Sequence, residues 1–380
     1  MQKKPIRIGL VGAGFMAKAH SNAFHTIPYI YNNEIYVPQL VMIGASSGEK
    51  AEAAAERYGF SRSSTGYREI VESSDIDVVD ICASDALHKE IALEAIKNGK
   101  HVLCEKPMAL NSDDALEMLE AAKNAGVKAM CGFNYRFISA VVLARNLIKS
   151  GKMGRVYHFN GSYLQQSGFD EDSPLEKLSF AHGSKGSGVA LCIGCHIIDM
   201  ARFLVGEITE VSGMMPLYNQ YRNSENGRVR VDKEEDMLAM LSFDNGATGL
   251  LRASVVSAGR KNRLAWEISC SKGSLVFDLE NLNNLDVFYK ESPIQEISGF
   301  TRVNVTQVDR NHPFMDIWWP RGHIVGWEHA HINEIAHFLH CIAHDKDVEP
   351  LGASFEDGYK STLIIDSIRE AAEQKRAIAI

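Results

Sequence analysis

The run Gly12-Ala13-Gly14-Phe15-Met16-Ala17 constrains this chain more than any other feature. It follows a short apolar segment, Ile6 to Val11, that reads as a buried strand. It opens another, Met16 to Phe24, that reads as a helix. In that setting Gly12 permits the tight turn and Gly14 lets the backbone approach an anion. Ala17 stands where a third glycine lets helix meet strand. The helix N-terminus then offers oriented N–H donors to a pyrophosphate. A glycine-rich loop alone is a weak sign, and the strand before it and helix after it supply the required context. The turn predicts a dinucleotide site at Gly12, Gly14, Phe15 and Met16.

The alternation of strand and helix continues through the first third. Leu40–Ala45 reads as a strand, Glu49–Tyr58 as an Ala-rich helix ended by Gly59, and Val78–Ala83 as a strand. Leu87–Asn98 is a helix stopped by Gly99, and His101–Cys104 and Val127–Gly132 are strands, with Ser112 as the N-cap of a helix between them. An unusual connection rich in Tyr and Asn, Pro28 to Pro38, follows the first helix. Such a βαβ series specifies a parallel sheet covered by helices.

The rhythm changes after about residue 135. Ala140–Lys149 reads as a helix, Val156–Gln165 as a long alternating strand, and Ser167–Gly188 as a polar loop. Cys195–Val205 is an apolar helix closed by Gly206. Strands at hairpin spacing fill Glu210–Tyr289, with turns at Asp244-Asn245-Gly246 and Lys272-Gly273. Helices near Ile332–His344 and Phe355–Gln374 close the chain. The expected fold class is α/β. Residues 1–133 form an NAD(P)-binding Rossmann domain with a doubly wound parallel sheet. Residues 134–380 form an α+β domain with a large open mixed sheet for substrate and oligomerisation, its last helix free to pack back on the first domain.

The 380 residues suit two domains. With 45 % hydrophobic and 23 % charged residues, the balance is globular rather than disordered. Lys and Arg number 40 against 48 Asp and Glu, a net charge of -8 without any basic block, which argues against nucleic acid. No apolar run reaches the roughly 18 residues of a membrane helix. The 7 cysteines are odd in number and scattered, as reduced thiols are. Met1–Pro5 lacks the apolar stretch of a signal peptide, so a cytoplasmic enzyme of small molecules is expected.

An acidic residue ending the second strand would mark NAD by bonding the ribose 2′-hydroxyl. Here that strand ends in Ala45-Ser46-Ser47-Gly48-Glu49-Lys50. Glu34 is nearer the usual spacing but lies in the Pro28–Pro38 connection, where it is expected to face solvent. Ser46, Ser47 and Lys50 could accept a 2′-phosphate, or be ordinary loop residues. The cofactor is read as NAD(P), with NADP slightly favoured over NAD. Glu105-Lys106-Pro107 ends the strand expected beside the nicotinamide, where a lysine could bond a substrate oxygen. It could equally be a surface lysine before a turn.

Cys192-Ile193-Gly194-Cys195-His196 matches a c-type haem attachment pattern, but the surrounding residues fit a loop entering a buried helix. His337, His340 and His344 share a helical face, which reads as a polar face beside Ile335, Phe338, Leu339 and Ile342 rather than as a metal site. No metal is expected.

Gly12–Ala17, Gly99-Lys100-His101-Val102-Leu103-Cys104-Glu105-Lys106-Pro107, Asn134-Tyr135-Arg136 and Gly186–Gly206 together resemble the Gfo/Idh/MocA oxidoreductases. Within that family, the Pro28–Pro38 insertion and the segment from His312-Pro313-Phe314 through Trp318-Trp319-Pro320 and Gly322-His323 to Gly326-Trp327-Glu328-His329 resemble the levoglucosan dehydrogenase branch. The resemblance implies hydride exchange between nicotinamide and a secondary hydroxyl of a sugar, anhydrosugar or cyclitol. It also implies assembly as a homodimer or homotetramer through the open sheet.

By motif, Lys106 would bind the reacting oxygen and His196 relay its proton. Arg136, Tyr163, Gln165, Cys192 and His323 would meet substrate, and Ser84, His88, Glu105 and Lys106 would meet cofactor. Trp318, Trp319 and Trp327 suit stacking on sugar faces or an oligomer interface. Two positions depart from the family pattern. Cys192 stands where an Asp is usual, a weak donor in place of a carboxylate, with Asp199 one helical turn from His196 as a partial substitute. Ser84-Asp85 stands where Thr-Pro is usual. The other reading is a non-catalytic NAD(P)-binding sensor, which Cys192 favours and which Lys106 and His196 oppose.

Overall fold

Ile6, Ile8, Leu10 and Val11 are all buried, so β1 (Lys4–Val11) lies in a sheet covered on both faces. The structure, a computed structural model, describes residues 3–380 apart from 33, 179–186, 226, 292, 293, 295, 297 and 311. The chain forms two units, 1–137 with 326–362, and 138–325 with 363–380. In the first, β1 is followed by α1 (Phe15–Ile30), β2 (Tyr36–Ala45), α2 (Gly48–Tyr58), β3 (Arg62–Thr65) and α3 (Arg68–Glu72). Then come β4 (Val78–Ile81), α4 (His88–Lys97), β5 (His101–Glu105), α5 (Ser112–Ala125) and β6 (Ala129–Gly132). The strands lie in the order β6-β5-β4-β1-β2-β3, every neighbouring pair parallel. Strand order switches direction between β1 and β4, and ligands of such sheets bind beyond the carboxyl ends at that point.

Most of the connection expected at Pro28–Pro38 is regular structure. α1 runs through Pro28 to Ile30, and β2 begins at Tyr36. A proline inside a helix costs about 3 kcal/mol. Here the lost bond falls in the last turn, and the helix buries Ala23, Phe24 and Ile27. Pro38 lies in the half of β2 that has no β3 beside it, an edge where strands tolerate proline. The cap expected at Ser112 is instead Asn111, which accepts the Asp114 N–H at 2.9 Å.

The second unit opens with α6 (Ser139–Lys149) and β7 (Val156–Leu164). The polar loop expected at Ser167–Gly188 falls over 179–186 outside the described residues. A π-helical turn, Ala190–Gly194, then runs directly into α7 (Cys195–Leu204). There follow β8 (Ile208–Met214), β9 (Tyr221–Ser224), β10 (Gly227–Arg230), β11 (Asp236–Phe243), β12 (Thr248–Ser254), β13 (Arg263–Cys270), β14 (Gly273–Asp278), β15 (Asn284–Tyr289) and β16 (Thr301–Asn304). β7 pairs parallel with β12 and antiparallel with β13, which makes this sheet mixed.

The chain then supplies α8 (Trp327–Ala343) to the first unit, where it packs on α1 and buries Ile332, Ile335, Ala336, Phe338 and Leu339. The apolar face of α8 is the physical reason that 326–362 returns to the first unit, across the division expected at 133/134. β17 (Ala353–Ser354) adds an antiparallel edge to β6. α9 (Phe355–Gln374) passes from one unit to the other, and β18 (Ile378–Ala379) pairs with β8. The second sheet reads β16-β15-β14-β13-β7-β12-β11-β8-β18. Its strands alternate, as in β12, where Gly249, Leu251 and Ala253 are buried. The inner face packs on α7 and α6, whereas the other leaves Met214, Leu238, Met240 and Leu250 exposed. Among the described residues, no helix is long and apolar enough to cross a membrane.

Candidate active site

The glycine turn is built as its sequence requires. Gly12 has φ +123°, and a Cβ there would stand 2.3 Å from the Cys82 carbonyl oxygen. Only glycine meets both conditions. Gly14, by contrast, faces open space and is the N-cap of α1. No side chain caps α1, and no acid lies in its first turn. α2 and α5 differ, having Ser47 and Asn111 as caps and Glu49, Asp113 and Asp114 in their first turns. The N–H groups of α1 are therefore presented to an external anion, which is the fit a pyrophosphate needs. Phe15 is exposed beside them and stacks on Trp327 at 5.5 Å, while Met16 is half-buried.

At the end of β2, Ser47 is engaged as the α2 cap, accepting the Lys50 N–H at 3.4 Å. Ser46 and the Lys50 side chain are exposed. Ser84, also exposed, follows β4. Glu34 does not face solvent alone: its two oxygens meet His340 Nδ1 at 3.0 Å and His344 Nε2 at 3.4 Å. His337 Nε2 lies 2.7 Å from the Val348 carbonyl. The helical histidines thus have protein partners.

Behind the turn lies a buried cluster that sequence reasoning missed. His20, on α1, is fully buried. Its Nδ1 is 2.9 Å from Asp80 Oδ2, and its Nε2 is 3.1 Å from Glu105 Oε1. Burial lowers the affinity of His20 for a proton, but the charges of Asp80 and Cys82 and their hydrogen bonds raise it well above the usual histidine range. Burial alone would push the Glu105 carboxyl up. The bond and charge of His20, with Lys106 and His331, bring it down to about 2. His331, on α8, is held down to about 3 by burial and by the charge of His20. Three residue types scattered over 300 positions carry no sequence spacing that could have revealed this group.

Glu105 Oε2 accepts the backbone N–H of half-buried Lys106 at 3.2 Å. His88, expected to touch cofactor, is instead fully buried, with Nδ1 2.8 Å from the Pro107 carbonyl and Nε2 3.2 Å from that of Ala83. Both ring nitrogens thus lie against backbone carbonyls. Arg136, expected to touch substrate, is 3 % exposed and pairs with Asp357 at 3.0 Å and the Gly352 carbonyl at 3.2 Å. A buried guanidinium needs such partners, and here the protein supplies them.

In the second unit the structure brings Tyr163, Gln165 and His196 together with Asn262, which sequence reasoning also missed. Asn262 Oδ1 accepts from Tyr163 Oη and from Gln165 Nε2, each at 2.7 Å. The Tyr163 ring lies 5.8 Å from that of His196. Cys192 is half-exposed in a π-helical turn whose other residues are buried, and Asp199 is fully buried. π-turns concentrate at functional sites because the extra residue displaces side chains from regular helical positions. The Cys-x-x-Cys-His run is continuous helix with Cys195 and His196 buried, and all seven cysteines are thiols. His323 is exposed, its Nδ1 2.8 Å from the Pro320 carbonyl.

A parallel sheet whose glycine turn opens an uncapped helix at the switch point defines an NAD-binding oxidoreductase fold. This chain belongs to the Gfo/Idh/MocA family. The model of that oxidoreductase family's NAD-binding Rossmann fold matches residues 6–133, and its C-terminal domain model matches 141–276. Levoglucosan dehydrogenase of Pseudarthrobacter phenanthrenivorans is 35 % identical over 97 % of this chain and 97 % of its own. Glucose-6-phosphate 3-dehydrogenase of Bacillus subtilis is 26 % identical over 98 % of each. A solved levoglucosan dehydrogenase in complex with NADH and levoglucosan superposes with TM-score 0.94 at 35 % identity, over 99 % of both chains.

Proposed function

We propose that this chain is an NAD(P)-dependent dehydrogenase that interconverts a secondary hydroxyl and a ketone on a sugar, anhydrosugar or cyclitol. The observation that carries the reading is the Glu105–Lys106 strand end, held beside a glycine turn whose helix N-terminus is left for an anion. Residues 1–133 hold the cofactor, at Gly12, Gly14, Phe15 and Met16, with Ser46, Lys50, Ser84, Glu105 and Lys106 beyond. Residues 138–325, in the second unit, hold the substrate. When bound, the nicotinamide takes up or returns a hydride.

Lys106 binds the reacting oxygen and stabilises the charge that develops there. His196 accepts or returns the hydroxyl proton, and Tyr163, Gln165 and Asn262 orient the sugar. Cys192, half-exposed near the start of α7, would shape which sugar is accepted. The relatives named above are dehydrogenases, and they lend the sensor reading no support. The test is turnover across a panel of sugars, anhydrosugars and cyclitols, followed by nicotinamide absorbance. Cofactor binding without turnover of any of them would refute the reading.

For the cofactor we propose NAD(P), with NADP slightly favoured over NAD. No carboxylate ends β2, and Ser46 and Lys50 are exposed there. The NADH in the solved relative pulls toward NAD. A kcat/KM ratio favouring NAD by more than about tenfold, about 1.4 kcal/mol, would overturn the preference. We place the enzyme in the cytoplasm, on its seven thiols. We also propose a homodimer or homotetramer. The sheet's outer face holds a groove of about 900 Å³ lined by Met214, Leu238, Met240 and Leu250, and so much exposed apolar surface calls for a partner.

A further inference from the structure

Apart from Glu105, the cluster behind the strand end takes no part in the reaction as described above, yet it is wired to it. From α1 comes His20, from β4 Asp80 with Cys82 just after it, from β5 Cys104 and Glu105, and from α8 His331, whose ring centre is 5.6 Å from that of His20. Cys82 Sγ lies 3.4 Å from His20 Nδ1. The Lys106 ammonium also acts on Glu105 by its charge. Each ring nitrogen of His20 faces a carboxylate. A neutral imidazole could donate to one of them only and would turn a lone pair on the other; the imidazolium donates to both.

Buried ion pairs add little stability compared with apolar packing of the same volume, whereas they do fix orientation. What is oriented here is Glu105, and its second oxygen accepts the Lys106 N–H. We propose that His20 is a positioning residue for Lys106: held by Asp80, it fixes the Glu105 carboxylate, which ties down the backbone from which the Lys106 side chain extends. The inference rests on the reading of Lys106 as the group that binds the reacting oxygen. It adds a residue deep in the Rossmann domain to the determinants of turnover.

His20→Gln removes the bridging cation and leaves Asp80 and Glu105 as facing buried carboxylates, one of which must then take up a proton near neutrality. The experiment is kcat and KM across pH 5–9 for wild type, His20→Gln and His20→Gln/Asp80→Asn. At pH 6, kcat of His20→Gln should fall roughly tenfold to a hundredfold with KM for sugar unchanged, the range a misplaced catalytic group produces. The loss should lessen as pH rises and both carboxylates ionise, without reaching wild type, because an amide cannot present an N–H to each side as the imidazolium does. Asp80→Asn in the double variant removes one carboxylate and should return the acid limb to lower pH. An equal loss of kcat at every pH, or no loss, would overturn the inference and leave His20 a packing residue.

Should His20→Gln fail to fold, Glu105→Gln provides the second variant. It keeps the volume but only one acceptor oxygen, so it should lower kcat by a similar factor without an acid limb, and unchanged kcat would sink the proposal. Independently of activity, nitrogen NMR of the wild-type protein should show both His20 ring N–H groups persisting above the range where an ordinary histidine loses one. Loss of either within the ordinary histidine range would refute the bridge. A wild type that turns over no sugar would count against the reading of Lys106 alone, since the ring signals still decide the bridge.

Discussion

Replacing Asn262 with alanine removes the one oxygen that accepts from both Tyr163 and Gln165. The two donors do not lose equally. Gln165 is half-exposed, so its amide finds water at almost no cost. Tyr163 is only 3 % exposed, and a buried hydroxyl deprived of its partner costs about 1–3 kcal/mol. If that penalty falls on the geometry around His196, kcat/KM drops roughly fivefold to a hundredfold. Steady-state kinetics with a turned-over sugar would measure it, alongside the thermal midpoint. Asn262→Asp keeps acceptor oxygens for both donors and should lie close to wild type. Tyr163→Phe removes the same hydroxyl, so the Tyr163→Phe/Asn262→Ala double variant should be hardly worse than either single change. A fall in kcat/KM of less than twofold with a lowered midpoint would refute the reasoning. The three polar side chains would then be packing, and the sugar would be oriented elsewhere.

Gly12→Ala should cost about 1–3 kcal/mol from its positive φ alone, with a further loss from the 2.3 Å approach to the Cys82 carbonyl; calorimetry of cofactor binding should show severe weakening. His331 has its folded pKa depressed to about 3 against an ordinary 6.5, so its stabilisation is whole above pH 6.5 and is lost as pH falls toward 3. Denaturant unfolding should accordingly show stability declining between pH 6.5 and 5, and less steeply in His331→Gln; equal slopes would disprove the assignment. Met240→Glu places a charge in the apolar groove of the second sheet, and light scattering should report dissociation to monomer with activity per folded chain lowered only if the site depends on assembly. An unchanged mass would put the interface elsewhere.

The Rossmann half was legible because its signals are local. A strand followed by Gly12 and Gly14, helices stopped by Gly59 and Gly99, and apolar strands of the right length each report on neighbours a few residues away. The alternation in β7 likewise announced a sheet buried on one face. What sequence could not state was anything that depends on which distant residues meet. Pro28 and Pro38 marked a break in the pattern, and only the packing of α1 and the edge position of β2 made room for both prolines inside regular structure.

The same holds for the chemistry. Lys106 and His196 were proposed from the motifs they sit in. The partners of Arg136 and His88 lie hundreds of residues away or on backbone carbonyls, so a pattern that marked both as ligands could not show those contacts. Asn262 had no motif at all until β7 and β13 paired and brought it to Tyr163. Composition and periodicity determined the two sheets, the glycine turn and the class of cofactor, because these follow from backbone sterics and burial one element at a time. The tertiary structure alone decided that His20 stands between Asp80 and Glu105, since a buried charge is tolerable only where the fold delivers opposite charges to both sides of it.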